Sequence, residues 1–418
     1  MAFPLVELWL EGVDRESIVI LYKVQGSSGH FALHSYKRHN SGNERQGNTT
    51  MTDVNLYAER LRRLQEGLGR EGVQVQLVAS PANLTYLLGQ RPMSLERLLL
   101  LVIPAQGRPR LIIPQMHLGE FTHLQGLLSM EPWKDGEDPL LLATKVITEL
   151  VGVLPVQCDR GVPAVLALAL RDHFPSLPLR VAEGSIANAR IRKEPAEVNR
   201  LLVAGGVADQ AMAEAVRMLR PGLSELEIAG AIIASLLREG AEPDPPLPIV
   251  ASGPNGAFPH HNTCSRRLET GDAIVLDFGG RCQGYFSDMT RTAFLGDPPK
   301  EFLRVYRTVA EAKEKATMAI RPGVRIGELD RIARAHIEAA GYGPFFTHRL
   351  GHGLGLEVHE EPYLHAGNNL QLEEGMCFSV EPGIYLPGRF GVRLEDCVVV
   401  ESDGARSLTA YPLDLVCK

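Results

Sequence analysis

Four acids in the carboxyl-terminal half of this 418-residue chain have the types and spacing to do chemistry. Asp277 interrupts the apolar run Ala273-Ile274-Val275-Leu276, and Asp288 lies on the segment that returns after Gly279, Gly280 and Gly284. A hairpin centred on Cys282-Gln283 would set the two acids opposite each other, with Cβ atoms about 5 Å apart. Glu381 and Glu395 repeat the arrangement around Pro387–Gly391, and a hairpin centred on Gly388 places each of them seven residues from the centre. Like charges facing each other on apolar strands are unfavourable unless some stay protonated or a cation compensates them. Two divalent cations balance four carboxylates in formal charge.

The nitrogen ligand for such a centre is found in residues 348–362, His-Arg-Leu-Gly-His-Gly-Leu-Gly-Leu-Glu-Val-His-Glu-Glu-Pro. Gly351, Gly353 and Gly355 each disfavour a helix by about 1 kcal/mol, and they allow backbone to approach a bound group closely. His352, set among them, is the expected neutral ligand. Oxygen-rich ligation with one imidazole suits manganese, cobalt, iron or zinc better than a soft-metal site, with manganese favoured by the oxygens. Two metals held this way activate water and polarise a carbonyl, which is hydrolase chemistry. His359 is expected to reach the substrate or its developing oxyanion. His260 and His261, in Phe258-Pro259-His260-His261-Asn262, precede the first acid strand.

The elements that must position these residues follow from periodicity and turn signals. Residues 1–50 lack sustained periodicity and read as an extension, flexible or preceding a true start at Met51, with an ordered arm as the alternative. Residues 51–188 alternate helix and strand, which predicts an α/β domain that shapes or caps a site. Helices are expected over 55–71, 140–154 and 163–173, and strands over 73–79, 98–103, 110–113 and 156–158. Residues 189–418 read as a pseudo-symmetric α+β domain. Helices over 196–219 and 225–239 are followed by strands, then helices over 301–320 and 328–340 by strands again. Arg220-Pro221-Gly222 and Arg321-Pro322-Gly323 lie 101 residues apart, and Glu225-Leu226-Glu227 and Glu328-Leu329-Asp330 follow them, which marks an internal repeat with two sheets meeting in the middle.

Composition excludes several classes. A net charge of −7 without a long basic run argues against a nucleic-acid partner. The apolar run Leu98–Ile103, closed by Pro104, is far shorter than the roughly 20 residues a membrane span needs. Met1–Leu10 carries Glu7 and has neither a basic start nor a small-residue cleavage site, and the six cysteines form no CxxC pair. Reduced thiols and a cytoplasmic location are therefore expected.

The acids and histidines together resemble the pita-bread metallopeptidases, a family that includes methionine aminopeptidase, aminopeptidase P and prolidase. The family's ligand order of Asp, Asp, His, Glu, Glu is matched by Asp277, Asp288, His352, Glu381 and Glu395. His348–Pro362, Val380–Tyr385 and Val392–Asp396 resemble the aminopeptidase P and prolidase branch, and Pro81–Gly89 is similar to its creatinase-like N-terminal domain. The resemblance implies a pita-bread (creatinase/aminopeptidase) catalytic domain over 189–418 behind a smaller α/β domain over 51–188. It implies one metal on Asp277, another on His352 and Glu381, and Asp288 and Glu395 shared. Glu381 would also be the general base, His260 and His359 the catalytic histidines, and Arg393 a guanidinium near the metals suited to the substrate carboxylate. The implied substrate is a short peptide whose second residue is proline, and the implied assembly is a homodimer. Prolidase action on Xaa-Pro dipeptides is the leading expectation and aminopeptidase P action on longer peptides its alternative. A non-metal creatinase-like hydrolase or an inactive binding protein is more remote. Arg91 and Arg97, from this chain or a partner subunit, are the residues expected to close the far end of the cleft.

Overall fold

A computed structural model describes residues 8–9, 19–25 and 31–37, and residues 51–418 except 91–95, 152–154, 174, 176–177, 183 and 244. The chain divides into Met1–Thr52 and Asp53–Lys418. In the first unit, strands Leu8–Trp9, Val19–Gln25 and Phe31–Lys37 pair as an antiparallel sheet.

In the second unit, helix Met51–Glu71 precedes a six-stranded sheet ordered 129–133, 110–114, 100–104, 75–78, 156–158, 179–181. The outer pairs are parallel, and the strand Leu100–Pro104 runs antiparallel to both neighbours. Burial on both faces explains the unbroken apolar run Leu100–Ile103, and it takes in Gln76 on the neighbouring strand Val75–Val78 as well. Helix Pro81–Leu88, which starts on proline and ends on Gly89 in the left-handed region, was not anticipated as an element. Helix Ser185–Ile191 then connects to the catalytic half, so the boundary expected at 188/189 falls inside it. Arg91 lies outside the described residues. Arg97 pairs with Asp135 at 3.0 Å and Glu96 at 2.5 Å on the exposed side of this sheet.

The catalytic half is one sheet running 249–252, 273–278, 289–294, 395–401, 377–380, 351–353, 360–364. The two expected sheets are joined where Met289–Phe294 pairs with Glu395–Glu401, through Met289 with Asp396 and Thr290 with Glu395. Helices Pro195–Met218 and Glu225–Glu239 cover one half, and Lys300–Met318 and Ile326–Ala339 the other. Helix Glu225–Glu239 shows why the sequence folds this way. Ser224 and Glu227 form a reciprocal capping box, and Gly240 ends the helix in the left-handed region. Ile228, Ile232 and Leu236, spaced by four, are fully buried, each such side chain stabilising by about 1.5–3 kcal/mol.

The repeat is real, but its register differs from the Glu-Leu-acid match. Gly222 and Gly323 both donate into the returning segment, to Leu268 and Leu372, and Ser224 and Arg325 are both helix N-caps. An offset of 101 (325 minus 224) therefore equates Glu225 with Ile326. The shared Glu-Leu was a coincidence two residues out of step. Among the described residues, no helix is long and apolar enough to cross a membrane.

Candidate functional site

Asp277 extends from the strand Ala273–Phe278, whose ladder partner for Asp277 is Thr290, not Asp288. The expected hairpin centre is one residue early. Gln283 (φ 51°) and Gly284 (φ 82°) form the turn, with Cys282 paired to Tyr285. A two-residue turn with both φ positive suits the strand twist, and the Gln side chain disguised it. Asp288 lies two residues before Thr290, beside Gly279, where a Cβ would collide with the Ser287 carbonyl. Because side chains alternate along a strand, Asp277, Thr290, Glu395 and Asp288 still share one face.

The second hairpin has the expected centre. Gly383 pairs with Arg393, Leu386 with Phe390, and Val380 with Asp396, so Glu381 and Glu395 are in register across Gly388. The first expected strand is broken at Glu381 and Pro382, giving Cys377–Val380 and Gly383–Leu386, and the second at Leu394, giving Phe390–Arg393 and Glu395–Glu401. Pro382, which cannot donate a ladder hydrogen bond, accounts for the first break.

His352 is buried on the strand Gly351–Gly353. Its Nδ1 contacts the Gly353 carbonyl at 3.1 Å, which directs Nε2 toward Glu381 at 3.2 Å and Asp288 at 3.7 Å. His359 stacks beside it, with ring centroids 3.9 Å apart. The flanking glycines serve packing of the protein against itself. A Cβ on Gly351 would strike the Ser379 carbonyl, one on Gly353 the Glu361 carbonyl, and one on Gly355 would lie 2.7 Å from Glu360 Oε1. None of the three has a positive φ.

The eight residues expected to be catalytic or metal-binding, His260, Asp277, Asp288, His352, His359, Glu381, Arg393 and Glu395, line one cavity of about 490 Å³. Ligand atoms of His352, Glu381 and Glu395 lie within 4.8 Å of one another, as do those of Asp277, Asp288 and Glu395, and those of Asp288, His352 and His359. Burial and the neighbouring Asp277 push Asp288 up to about 7. Burial and Asp288 hold Glu395 well above the usual carboxylate range. Burial would also raise Glu381, but the hydrogen bond and charge of His352 bring it down to about 2. Oε1 of Glu395 is buried with no hydrogen-bond partner among the described residues. An excess of buried negative charge, an orphaned carboxylate oxygen and an imidazole nitrogen directed at two carboxylates together fit divalent cations.

Arg393 departs from its expected use. It is buried; Nε donates to Thr290 at 3.2 Å, Nη1 to the Pro259 carbonyl at 3.1 Å and Tyr385 at 2.9 Å, and Nη2 pairs with Asp277. Four of the five guanidinium N–H groups are thereby used, which leaves no free fork for a bidentate carboxylate clamp. Sequence reasoning passed over His348, Arg349 and Tyr385. His348 Nε2 lies 2.8 Å from the Tyr385 hydroxyl, and Arg349 lines the cavity with its guanidinium 4.3 Å from the Tyr363 ring centroid. His348 and Arg349 open the glycine-rich motif, and that position was the available signal. His261 turns away from the cavity to Glu225, at 2.8 Å.

Residues 199–402 match metallopeptidase family M24, and residues 60–192 match the creatinase/prolidase N-terminal domain. A probable dipeptidase PepE of Mycobacterium tuberculosis is 38% identical over 370 residues, covering 87% of this chain and 97% of that protein. A Xaa-Pro dipeptidase of Lactobacillus helveticus is 34% identical over 359 residues, covering 85% of this chain and 98% of its own length. Among solved structures, a recombinant prolidase from Thermococcus sibiricus superposes with a TM-score of 0.83 at 36% identity, over 87% of this chain and 99% of that one.

Proposed function

The chain belongs to metallopeptidase family M24, and on that premise we propose that it is a prolidase that hydrolyses Xaa-Pro dipeptides with two divalent metal ions, manganese foremost. The observation that carries the reading is the set of five converging groups, Asp277, Asp288, His352, Glu381 and Glu395, on the wall of one cavity. Kinship over nearly the full length of proteins named as dipeptidases supports the substrate.

Asp277 would hold one cation, His352 and Glu381 the other, and Asp288 and Glu395 both. When bound, the cations supply Lewis-acid polarisation of the scissile carbonyl and a nucleophilic water at neutral pH. Glu381 is the general base that takes the proton of the attacking water and passes it to the leaving proline nitrogen. Ser379 donates to its Oε1 at 3.0 Å and keeps the carboxylate aimed inward. His359 donates a hydrogen bond to the developing oxyanion, and His260 orients the peptide carbonyl. Arg393 fixes Asp277 and Tyr385 rather than gripping the substrate with both nitrogens. An Xaa-Pro bond has no N–H to donate, so it needs no acceptor from the cavity, and Pro246, Leu247 and Pro259 supply apolar lining. The reading includes a homodimer in the cytoplasm, checked by light scattering and cell fractionation.

The deciding experiment loads the protein with manganese and compares rates on a Xaa-Pro dipeptide, the same peptide extended by one residue, and a Xaa-Ala dipeptide. Preference for the Xaa-Pro dipeptide is expected. Faster release from the tripeptide would favour the aminopeptidase P reading, and equal turnover of Xaa-Ala would overturn proline specificity.

A further inference from the structure

We propose that Glu225 is a positioning residue that fixes the segment 252–264, and with it His260, against the cavity. The inference rests on the role given to His260 above. Glu225 is fully buried at the start of its helix and gathers donors from both ends and the middle of that segment. One carboxylate oxygen accepts from the Ser252 N–H at 2.9 Å, the Ser252 hydroxyl at 2.7 Å and Asn255 Nδ2 at 2.9 Å. The other lies 2.8 Å from His261 Nε2 and accepts from the Cys264 N–H at 3.1 Å and the thiol at 3.2 Å.

Between Ala257 and Cys264 the chain has no ladder or helix to hold it. From the cavity side, Arg393 takes the Pro259 carbonyl at 3.1 Å, and Gly256 abuts Gly391 with its carbonyl where a Gly391 Cβ would stand. The segment that carries His260 is therefore pinned between an anion behind it and a cation before it. Because His261 is tied to Glu225, the preceding residue is turned to the opposite side, where it lines the cavity.

The Glu225–His261–Cys264 trio has ligand atoms within 4.8 Å of one another. It is nonetheless a filled hub and not a cation site. A carboxylate offers about four acceptor positions, and two of the six donors are backbone N–H groups that cannot give way to a metal. The other half of the repeat uses a comparable anchor. Asp330, buried in helix Ile326–Ala339, accepts from the Leu350 N–H at 3.0 Å and from Arg334 at 3.1 Å. Arg334 in turn donates to the carbonyls of Phe346 and His348, each at 2.9 Å. Each half thus holds its histidine-bearing segment with a buried helix acid.

A double-mutant cycle tests the proposal in the full-length manganese-loaded protein, with E225Q, H260A and their combination. E225Q is expected to lower kcat by about 10- to 100-fold, since small misplacements of a reacting group cost this much, with KM and bound metal unchanged. In the His260→Ala background the same substitution should change kcat less than about twofold, because residues that act through one another are not additive. Additive losses, or an E225Q enzyme of full activity, would overturn the positioning role. Full activity of H260A alone would overturn the role of His260 as well, and is distinguished by that single variant. If E225Q does not fold, the cycle is run with Ser252→Ala, which removes one hydroxyl donor and keeps the acid, and the same coupling is expected.

Discussion

Thr290 and Glu395 face each other across the seam of the catalytic sheet, and the Thr290 hydroxyl donates to Glu395 Oε2 at 2.7 Å. The same threonine pairs with Asp277 on its other side and accepts from Arg393 at 3.2 Å. One side chain thus orients two acids from the two halves of the repeat. Thr290→Val keeps the β-branched shape and removes the hydroxyl, so Glu395 Oε2 loses its donor and, like Oε1, has no hydrogen-bond partner among the described residues. Partners that orient metal ligands are worth about 10- to 100-fold in affinity. Calorimetric titration of the metal-free variant with manganese should show a loss in that range, and an unchanged affinity would count against Glu395 as a ligand.

The glycines of the histidine motif give a second prediction. Gly353 has ordinary backbone angles, but a Cβ there would run into the Glu361 carbonyl, which is itself fixed in the sheet. Gly353→Ala should therefore destabilise by more than about 2 kcal/mol, the usual scale for overpacking a core, and should lower activity by displacing His352. Gly388, at the tip of the second hairpin, has φ 71° with open space around it. Gly388→Ala should cost only about 1 kcal/mol, the strain of a left-handed residue, and leave turnover unchanged. Denaturant melts beside peptidase rates separate the two outcomes.

Much of this arrangement was legible in the sequence because its signals are local. Helix Glu225–Glu239 announces itself by a capping box, a four-residue apolar rhythm and a terminal glycine. The Glu381–Glu395 register followed from the glycine-centred turn between them. The first hairpin was misread by one residue because Gln283, a non-glycine in the left-handed region, gives no turn signal. The surroundings of Arg393 were hidden for a different reason. Its partners Asp277, Pro259 and Thr290 come from distant segments that only the fold assembles, and Tyr385 alone is near in sequence. His348 escaped notice because its partner, Tyr385, lies 37 residues further on.

Asp396, next to Glu395 but on the other face of the sheet, yields a prediction for stability against pH. It is buried between Lys313 Nζ and Arg291, each at 2.6 Å. Burial alone would raise its carboxyl, but the two cations hold it below the ordinary 3.8. A carboxyl lowered on folding contributes stability that is present above pH 3.8 and is lost as pH falls through the folded value. Asp396→Asn strands two buried cations and should cost about 3–5 kcal/mol at pH 7. The gap between variant and wild type should narrow below pH 3.8 as the wild-type acid takes up its proton. A gap that stays constant down to the acid transition would contradict this.

Metal removal should give the protein the opposite pH dependence. Without cations, burial and Asp277 raise Asp288 from 3.8 to about 7, and burial with Asp288 raises Glu395 as well. The folded state then binds more protons than the unfolded chain between those values, so stability falls as pH rises. His352 acts in the same direction. Its folded value is raised by Glu381 and Asp288 against the opposing effect of burial, so its contribution is also lost on going alkaline. Glu381, lowered to about 2, is ionised in both states above pH 6 and adds no slope there. Chelated protein should therefore be less stable at pH 8 than at pH 6, by about 1–2 kcal/mol for the roughly one unit through which Asp288 titrates. Manganese should abolish that slope, because cations that balance the carboxylates remove the advantage of protonation and stabilise the folded state by mass action. Thermal melts of chelated and manganese-loaded protein at the two pH values test both statements. A pH-independent melt of the chelated protein, with no upward shift on adding manganese at pH 8, would contradict a site of four clustered acids awaiting cations.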